Sequence, residues 1–415
     1  MNYKILIVFL FHSTFLFHGC GILKKKKAPS SKPYDIKQEV NIPEDVVLDT
    51  LFEILNKDTI KQNIQSVDID SFQNAIAQLI SAKDKSYFDE QLNLDNNLWN
   101  DFSEDVNKDF NKIKIQRLDN MDSWVSSDFL GPNMDTLLLF YPFSGPDFLH
   151  AYHLYPNAND YVLLALEEVG YIPDLETMGP SSIQRYLKNI NIFLRDIYLR
   201  SYFITKHMTS DINDQNIVSG VLPSLYWFLA RTDHQIVKLE RISLDKNGKI
   251  IIQDSNQQLD GVRITFTDNK MTDLKTLTYF CCDISNDGFR KKNPELYVYL
   301  KNMRACNTFV KSASYLMHYN SFQNIREIVT SKSKSIFQDD TGVPYKYFNH
   351  EEWGMRYFGS YVKPIKDFES VMNIVYQEDL LKVYNSVYKE KLPFSLGYHW
   401  RDAADQNQML LIKTR

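Results

Sequence analysis

Apolar positions along this chain fall into helical spacings, continuous runs and alternations, and each kind predicts a different element. From Pro43 to about Trp124 the chain reads helical. Val46–Leu55 and Ser71–Ile80 place apolar residues three and four apart, and Asp70 or Ser71 stands ready to cap the second helix. Phe88–Ile115 is polar and rich in Asn and Asp, which blurs the pattern there. The character then changes. Thr136–Phe140 (TLLLF) and Tyr161–Leu166 (YVLLAL) are continuous apolar runs bounded by turn residues, as in strands buried on both faces. Between them Ser144-Gly145-Pro146-Asp147 makes a turn, Phe148–Tyr155 is helical, and Asn157–Asp160 makes a second turn. Strand, turn, helix, strand is a βαβ unit, the seed of a parallel sheet.

Downstream, Ser181–Met208 reads as one long amphipathic helix and Val221–Ala230 as another. His234–Leu244 and Lys249–Gln253 flank Asp245-Lys246-Asn247-Gly248, whose Asn-Gly predicts a hairpin. Gly261–Thr267 and Leu274–Asp283 continue as strands of an antiparallel patch. Helices are expected at Pro294–Met303, Thr308–His318 and Ser321–Ser331, and a last core strand at Ser335–Gln338. The aromatic stretch Tyr345–Tyr388 is mixed, and no fixed-period repeat appears. The expected fold is α/β, with a Rossmann-like βαβ core, antiparallel additions and a helical N-terminal region.

The first residues are of another kind. Lys4 precedes an apolar stretch, Ile5–Phe17, that is too short to span a bilayer and reads as a secretory signal. Phe17-His18-Gly19-Cys20 closes it and resembles the lipobox of bacterial lipoproteins, with Phe17 and His18 departing from the usual residues. That resemblance implies removal of residues 1–19 and acylation of Cys20, whose several acyl chains anchor a protein durably. Lys24–Lys27 and a Pro/Ser stretch make 20–42 a basic tether suited to anionic headgroups. A helical region, 43–124, and an α/β domain, 125–415, complete the division. The expected location is the cell envelope. Gly21, which is not aspartate, leans towards the outer membrane where a cell has two.

Composition narrows the remaining choices. A net charge of −5, from 47 basic and 52 acidic residues, supplies no field for nucleic acid. Once Cys20 is set aside, Cys281, Cys282 and Cys306 remain, too few for a disulfide scaffold. They are expected to be buried thiols, with a pairing through Cys306 as the alternative.

The densest chemistry lies in Phe140–Gly170. YPFSGPDFL at Tyr141–Leu149, SYLMH at Ser314–His318 and QDDTGVPYKYF at Gln338–Phe348 resemble the signatures of an uncharacterised family of bacterial secreted proteins and lipoproteins. The resemblance spans roughly residues 125 to 385 and implies one continuous α/β domain with no assigned activity.

Three chemistries compete for these residues. A turn at Ser144 and Gly145 before a helix can hold an anion, with Glu167 at the end of the next strand on a ribose. One glycine stands where the dinucleotide fingerprint has three, so no cofactor is expected. Alternatively, Ser144 is a nucleophile, with His150, His153 or His318 as base and Asp339 or Asp340 orienting it. Pro142 and Pro146 replace the glycines of the usual elbow. His150 and His153 share a helix face, yet no third ligand is placed beside them and no metal is expected. In the plainest reading Asp147 or Ser144 caps the helix, Gly145 permits the turn, and the aspartates serve a turn of their own. The chain is then a ligand- or partner-binding lipoprotein, and Asp339-Asp340 beside many aromatics suits a sugar or peptide. A hydrolase and a degenerate methyltransferase-type fold are the alternatives.

Overall fold

A computed structural model describes residues 68–92, 95–129, 137–213, 218–253, 259–271, 273–401 and 406–414. The signal segment, Cys20, the lysine tether and Val46–Leu55 lie outside the described residues. The rest is a mixed α/β structure built on one ten-stranded sheet.

The strands are β1 (Leu138–Tyr141), β2 (Asp160–Ala165), β3 (His234–Leu244), β4 (Ile250–Ile252), β5 (Asp260–Asp268), β6 (Leu274–Cys281), β7 (Cys306–Val310), β8 (Ser333–Gln338), β9 (Trp353–Tyr357) and β10 (Met409–Lys413). They stand in the order β4-β3-β5-β6-β2-β1-β7-β8-β10-β9. The five central strands, β6-β2-β1-β7-β8, are parallel. The chain moves from β1 to one side through β2 and β6, then returns to the other side as β7 and β8. Its order reverses between β1 and β7. Antiparallel pairs finish both flanks, β5 on β6 at one end and β10 between β8 and β9 at the other.

Both faces of the sheet are covered, so β1 and β7 are buried at every position. Side chains alternate between two cores. Leu139 and Tyr141 enter one, Leu138 and Phe140 the other. This is why TLLLF reads as an unbroken apolar run. The Ser71–Ile80 helix forms as its spacing predicts, with the Asp70 carboxylate accepting from Gln73 N–H. Asn74 ties that helix to β3 through both bonds to Ile236. The polar stretch after Phe88 also folds. Asn96–Ile113 is a helix capped by Asp95, turning Val106, Phe110 and Ile113 inward.

The predicted hairpin is present, β3 pairing β4 around Gly248 at φ +74°. Two expectations need correction. Ser181–Met208 is not one helix but Pro180–Phe193 and Arg195–Arg200, followed by the start of Thr205–Asn213. Ser201 ends the second piece in the left-handed region, φ +66°, where Gly397 N–H donates to its hydroxyl and Lys311 to its carbonyl. Tertiary bonds override the periodicity. Thr308–His318, expected as a helix, begins in β7, and only Leu316–His318 forms a short 3₁₀ turn. A strand flanked by parallel neighbours and buried on both faces has no alternation to betray it.

Cys281, Cys282 and Cys306 are buried thiols. Among the described residues no helix is long and apolar enough to cross a membrane.

Candidate functional site

The carboxyl ends of parallel strands converge where the strand order reverses, the usual location of binding crevices in α/β sheets. In this protein that space holds a buried polar centre. β1 ends at Tyr141, and the turn through Phe143 (φ +60°) and Gly145 (φ +57°) delivers Asp147 to the start of the Phe148–Leu154 helix. Asp147 Oδ1 caps it by accepting from His150 N–H at 3.2 Å. The same carboxylate serves three side chains. His150 Nδ1 lies 2.8 Å from Oδ1, Lys311 Nζ 2.6 Å from Oδ2, and Tyr141 OH donates to Oδ2 at 3.2 Å. Lys311 follows β7 directly and stands 3.2 Å from His150 Nδ1. Arg117, brought in by a π-helical turn at Lys114–Leu118, donates to Ile197 O at 3.1 Å.

All of these groups are buried. Burial alone would raise the Asp147 carboxyl, but the charges of His150 and Lys311 and their hydrogen bonds hold it well below the ordinary range. Burial pushes His150 down to about 3, helped by the Lys311 charge and opposed by Asp147. The imidazole is therefore neutral. A proton on Nδ1 serves Asp147 and leaves Nε2 without a partner. Burial also lowers the Lys311 ammonium, with Asp147 pulling it back up.

The third strand end, β8, supplies the aspartate pair. Asp339 accepts from Ser312 N–H at 2.8 Å and Thr341 N–H at 3.0 Å, and the Thr341 hydroxyl also donates to it. Asp340 Oδ2 accepts from Tyr315 OH at 2.6 Å, while its Oδ1 has no partner. Burial raises both carboxyls. The neighbouring Asp339 charge adds to the effect on Asp340, which is pushed up to about 7. His318 Nε2 meets the Asp340 carbonyl at 3.2 Å rather than a carboxylate.

Ser144 is engaged with backbone. Its N–H donates to Leu164 O at 3.0 Å, and its hydroxyl lies 2.6 Å from Gly145 O and 3.2 Å from Leu164 O. None of these bonds goes to a histidine, so nucleophile and base are not brought together. His150 and His153 are likewise separated in role, since His153 Nδ1 bonds Asp122 at 2.6 Å. Among the described residues no three His, Cys, Asp or Glu side chains form a metal cluster. Gly145 faces side chains rather than open space, and a Cβ there would lie 3.4 Å from Phe203 and 3.5 Å from Met208. Glu167 is buried, raised to about 7 by that burial, and its Oε1 has no partner.

Sequence reasoning offered Asp147 or Ser144 as the cap, of which Asp147 is the one in place, and missed Lys311, Arg117, Tyr141 and Tyr315. A lysine directly after the buried run CNTFV was the one available signal. Arg117 gave none. No family model matches the chain, no curated protein matches it, and no solved structure matches it.

Proposed function

We propose that this chain is an envelope lipoprotein whose α/β domain is Rossmann-like and methyltransferase-type in arrangement and works by binding a ligand or partner without a nucleotide cofactor. The strand order supports the first part. Numbered along the chain, the five parallel strands stand 3-2-1-4-5, the doubly wound order. An antiparallel strand between β8 and β9 extends this to 3-2-1-4-5-7-6, the order of methyltransferase-type sheets. Fold likeness does not carry activity.

One observation carries the second part: the space a cofactor would occupy is taken by this chain's own side chains. Phe203 and Met208 stand over the Gly145 turn. At the helix start the His150 N–H goes to Asp147, whose charge is balanced by Lys311 and whose Oδ1 also takes the neutral His150 ring. A second anion there would meet a carboxylate already in place. Ser144 N–H is spent on Leu164 O. These residues do not fit a dinucleotide or an adenosyl cofactor. Calorimetric titration with S-adenosylmethionine and S-adenosylhomocysteine is therefore expected to give no saturable heat. A saturable isotherm in the micromolar range overturns this reading.

The anchor is acylated Cys20, seconded by Lys24–Lys27, in the cell envelope. Gly21 after it favours the outer membrane where two exist. Metabolic labelling with a clickable palmitate analogue is expected to mark the wild type and to vanish in Cys20→Ser. Equal labelling of the two removes the anchor.

A further inference from the structure

Backbone strain gathers at one end of this sheet. Eight non-glycine residues among those described have positive φ, and Phe143, Ser201, Ser312, Ser314 and Tyr315 lie at the carboxyl ends of β1 and β7 or in the segment covering them. Three of them fall within the four residues Ser312–Tyr315. Each such residue is held in a sparsely populated conformation that persists only where its surroundings enforce it, typically at ligand sites. The Asp147–Lys311 centre does not use these residues' side chains. The strain has another product.

Ser314 and Tyr315, turned by that strain, join and support a half-buried aromatic rim of Tyr202, Phe368 and Tyr398. Ser314 Oγ lies 2.8 Å from Tyr398 OH. The Tyr202 and Tyr398 rings stand 4.8 Å apart at 69°, and Phe368 lies 5.9 Å from Tyr398 at 63°. Tyr315, fully buried, supports Phe368 from behind at 5.0 Å. Tyr202, Ser314, Phe368 and Tyr398 all keep partial access to solvent. Tyr315 in turn donates to Asp340 Oδ2, whose Oδ1 is buried without a partner.

We propose that this rim binds a neutral carbohydrate, a proposal that rests on the binding-protein reading above and names its ligand class. Rings set at steep angles offer ring faces to C–H groups, and the Ser314–Tyr398 hydroxyl pair between them offers a donor and an acceptor to sugar hydroxyls. The charges that reach the rim, Arg200 against Asp367 and Asp196 at Tyr202 and Asp339 with Asp367 at Tyr398, are mainly acidic and disfavour an anionic sugar.

The test uses the full chain in a non-glycosidic detergent, with maltotetraose, cellotetraose and tetra-N-acetylchitotetraose as probes. Saturation-transfer NMR and calorimetry should show saturable binding of at least one. Tyr202→Ala should weaken it roughly tenfold, the worth of one ring contact. Tyr398→Phe, which keeps the ring, should weaken it several-fold with an unchanged circular dichroism spectrum. Tyr388→Ala, at a tyrosine 84% exposed and outside the rim, should leave it unchanged. No saturable binding to any of the three sugars overturns the proposal, as does binding indifferent to Tyr202→Ala. In either case a flat adenosyl titration leaves the cofactor-free reading standing. A positive one strikes that reading instead.

Discussion

Asp147→Asn is expected to destabilise the fold by about 3–5 kcal/mol, the cost of leaving a buried charge without its partner. Asparagine keeps the shape and remains a good helix cap, so the loss reports the charge and not the cap. What it strands is Lys311, fully buried and 2.6 Å from the carboxylate in the wild type. His150 cannot take over, because its ring is neutral and its Nδ1 proton loses an anionic acceptor in the variant. Removing both charges is a smaller insult than removing one. Asp147→Asn combined with Lys311→Met should therefore recover much of the loss, a strong coupling between neighbours. Guanidinium denaturation, compared at equal slope, measures both. A single-variant loss below about 1 kcal/mol contradicts the charge balance described above.

The second large effect depends on pH. The Asp340 carboxyl is pushed up from 3.8 to about 7 by burial and by Asp339. Its folded value lies above its unfolded one. The stability tied to its proton is therefore complete below pH 3.8 and is lost as pH rises through about 7. A difference of about 3 units corresponds to a loss on the order of 4 kcal/mol. Asp340→Asn carries no such proton and should lose that dependence. Glu167, raised from 4.5 to about 7, keeps a slope of the same sign in both proteins. His150, His234 and His318 act oppositely. Their values are lowered to about 3, 4 and 4, so what they contribute is present above pH 6.5 and lost as pH falls through those values. Asp339 beside it is also raised and coupled to Asp340, so the difference between variant and wild type reports the aspartate pair. Denaturation at pH 4 and pH 8 should show the variant gaining on the wild type at the higher pH. Parallel losses in the two proteins would remove Asp340 as a buried acid.

The parts of the fold legible in the sequence were those whose physics is local. β1, β2 and the helix between them announce themselves as two apolar runs and a Gly-Pro-Asp turn, because a strand buried on both faces has no polar positions. The β3–β4 hairpin follows from Asn247-Gly248, since Gly248 meets the positive φ that the turn requires. Asp147 as a cap is equally local. Its partners are not. Lys311 lies 161 residues beyond His150 and was hidden in a stretch that reads as helix, so nothing near it in sequence indicates a buried ammonium. The break at Ser201 was invisible for the same reason, being fixed by Gly397 and Lys311 from distant strands and loops. The aspartate pair was found by its place after a core strand. Its raised carboxyls depend on a burial that only the assembled sheet provides.

Hydrogen exchange read by mass spectrometry tests the closed crevice most directly. Peptides covering 138–150 and 201–208 are expected to exchange slowly and to be unchanged by saturating S-adenosylhomocysteine, since Phe203 and Met208 already fill the space over Gly145. Rapid exchange across 201–208, or protection gained there on adding the nucleoside, would mean that the cover opens and the crevice still receives a cofactor.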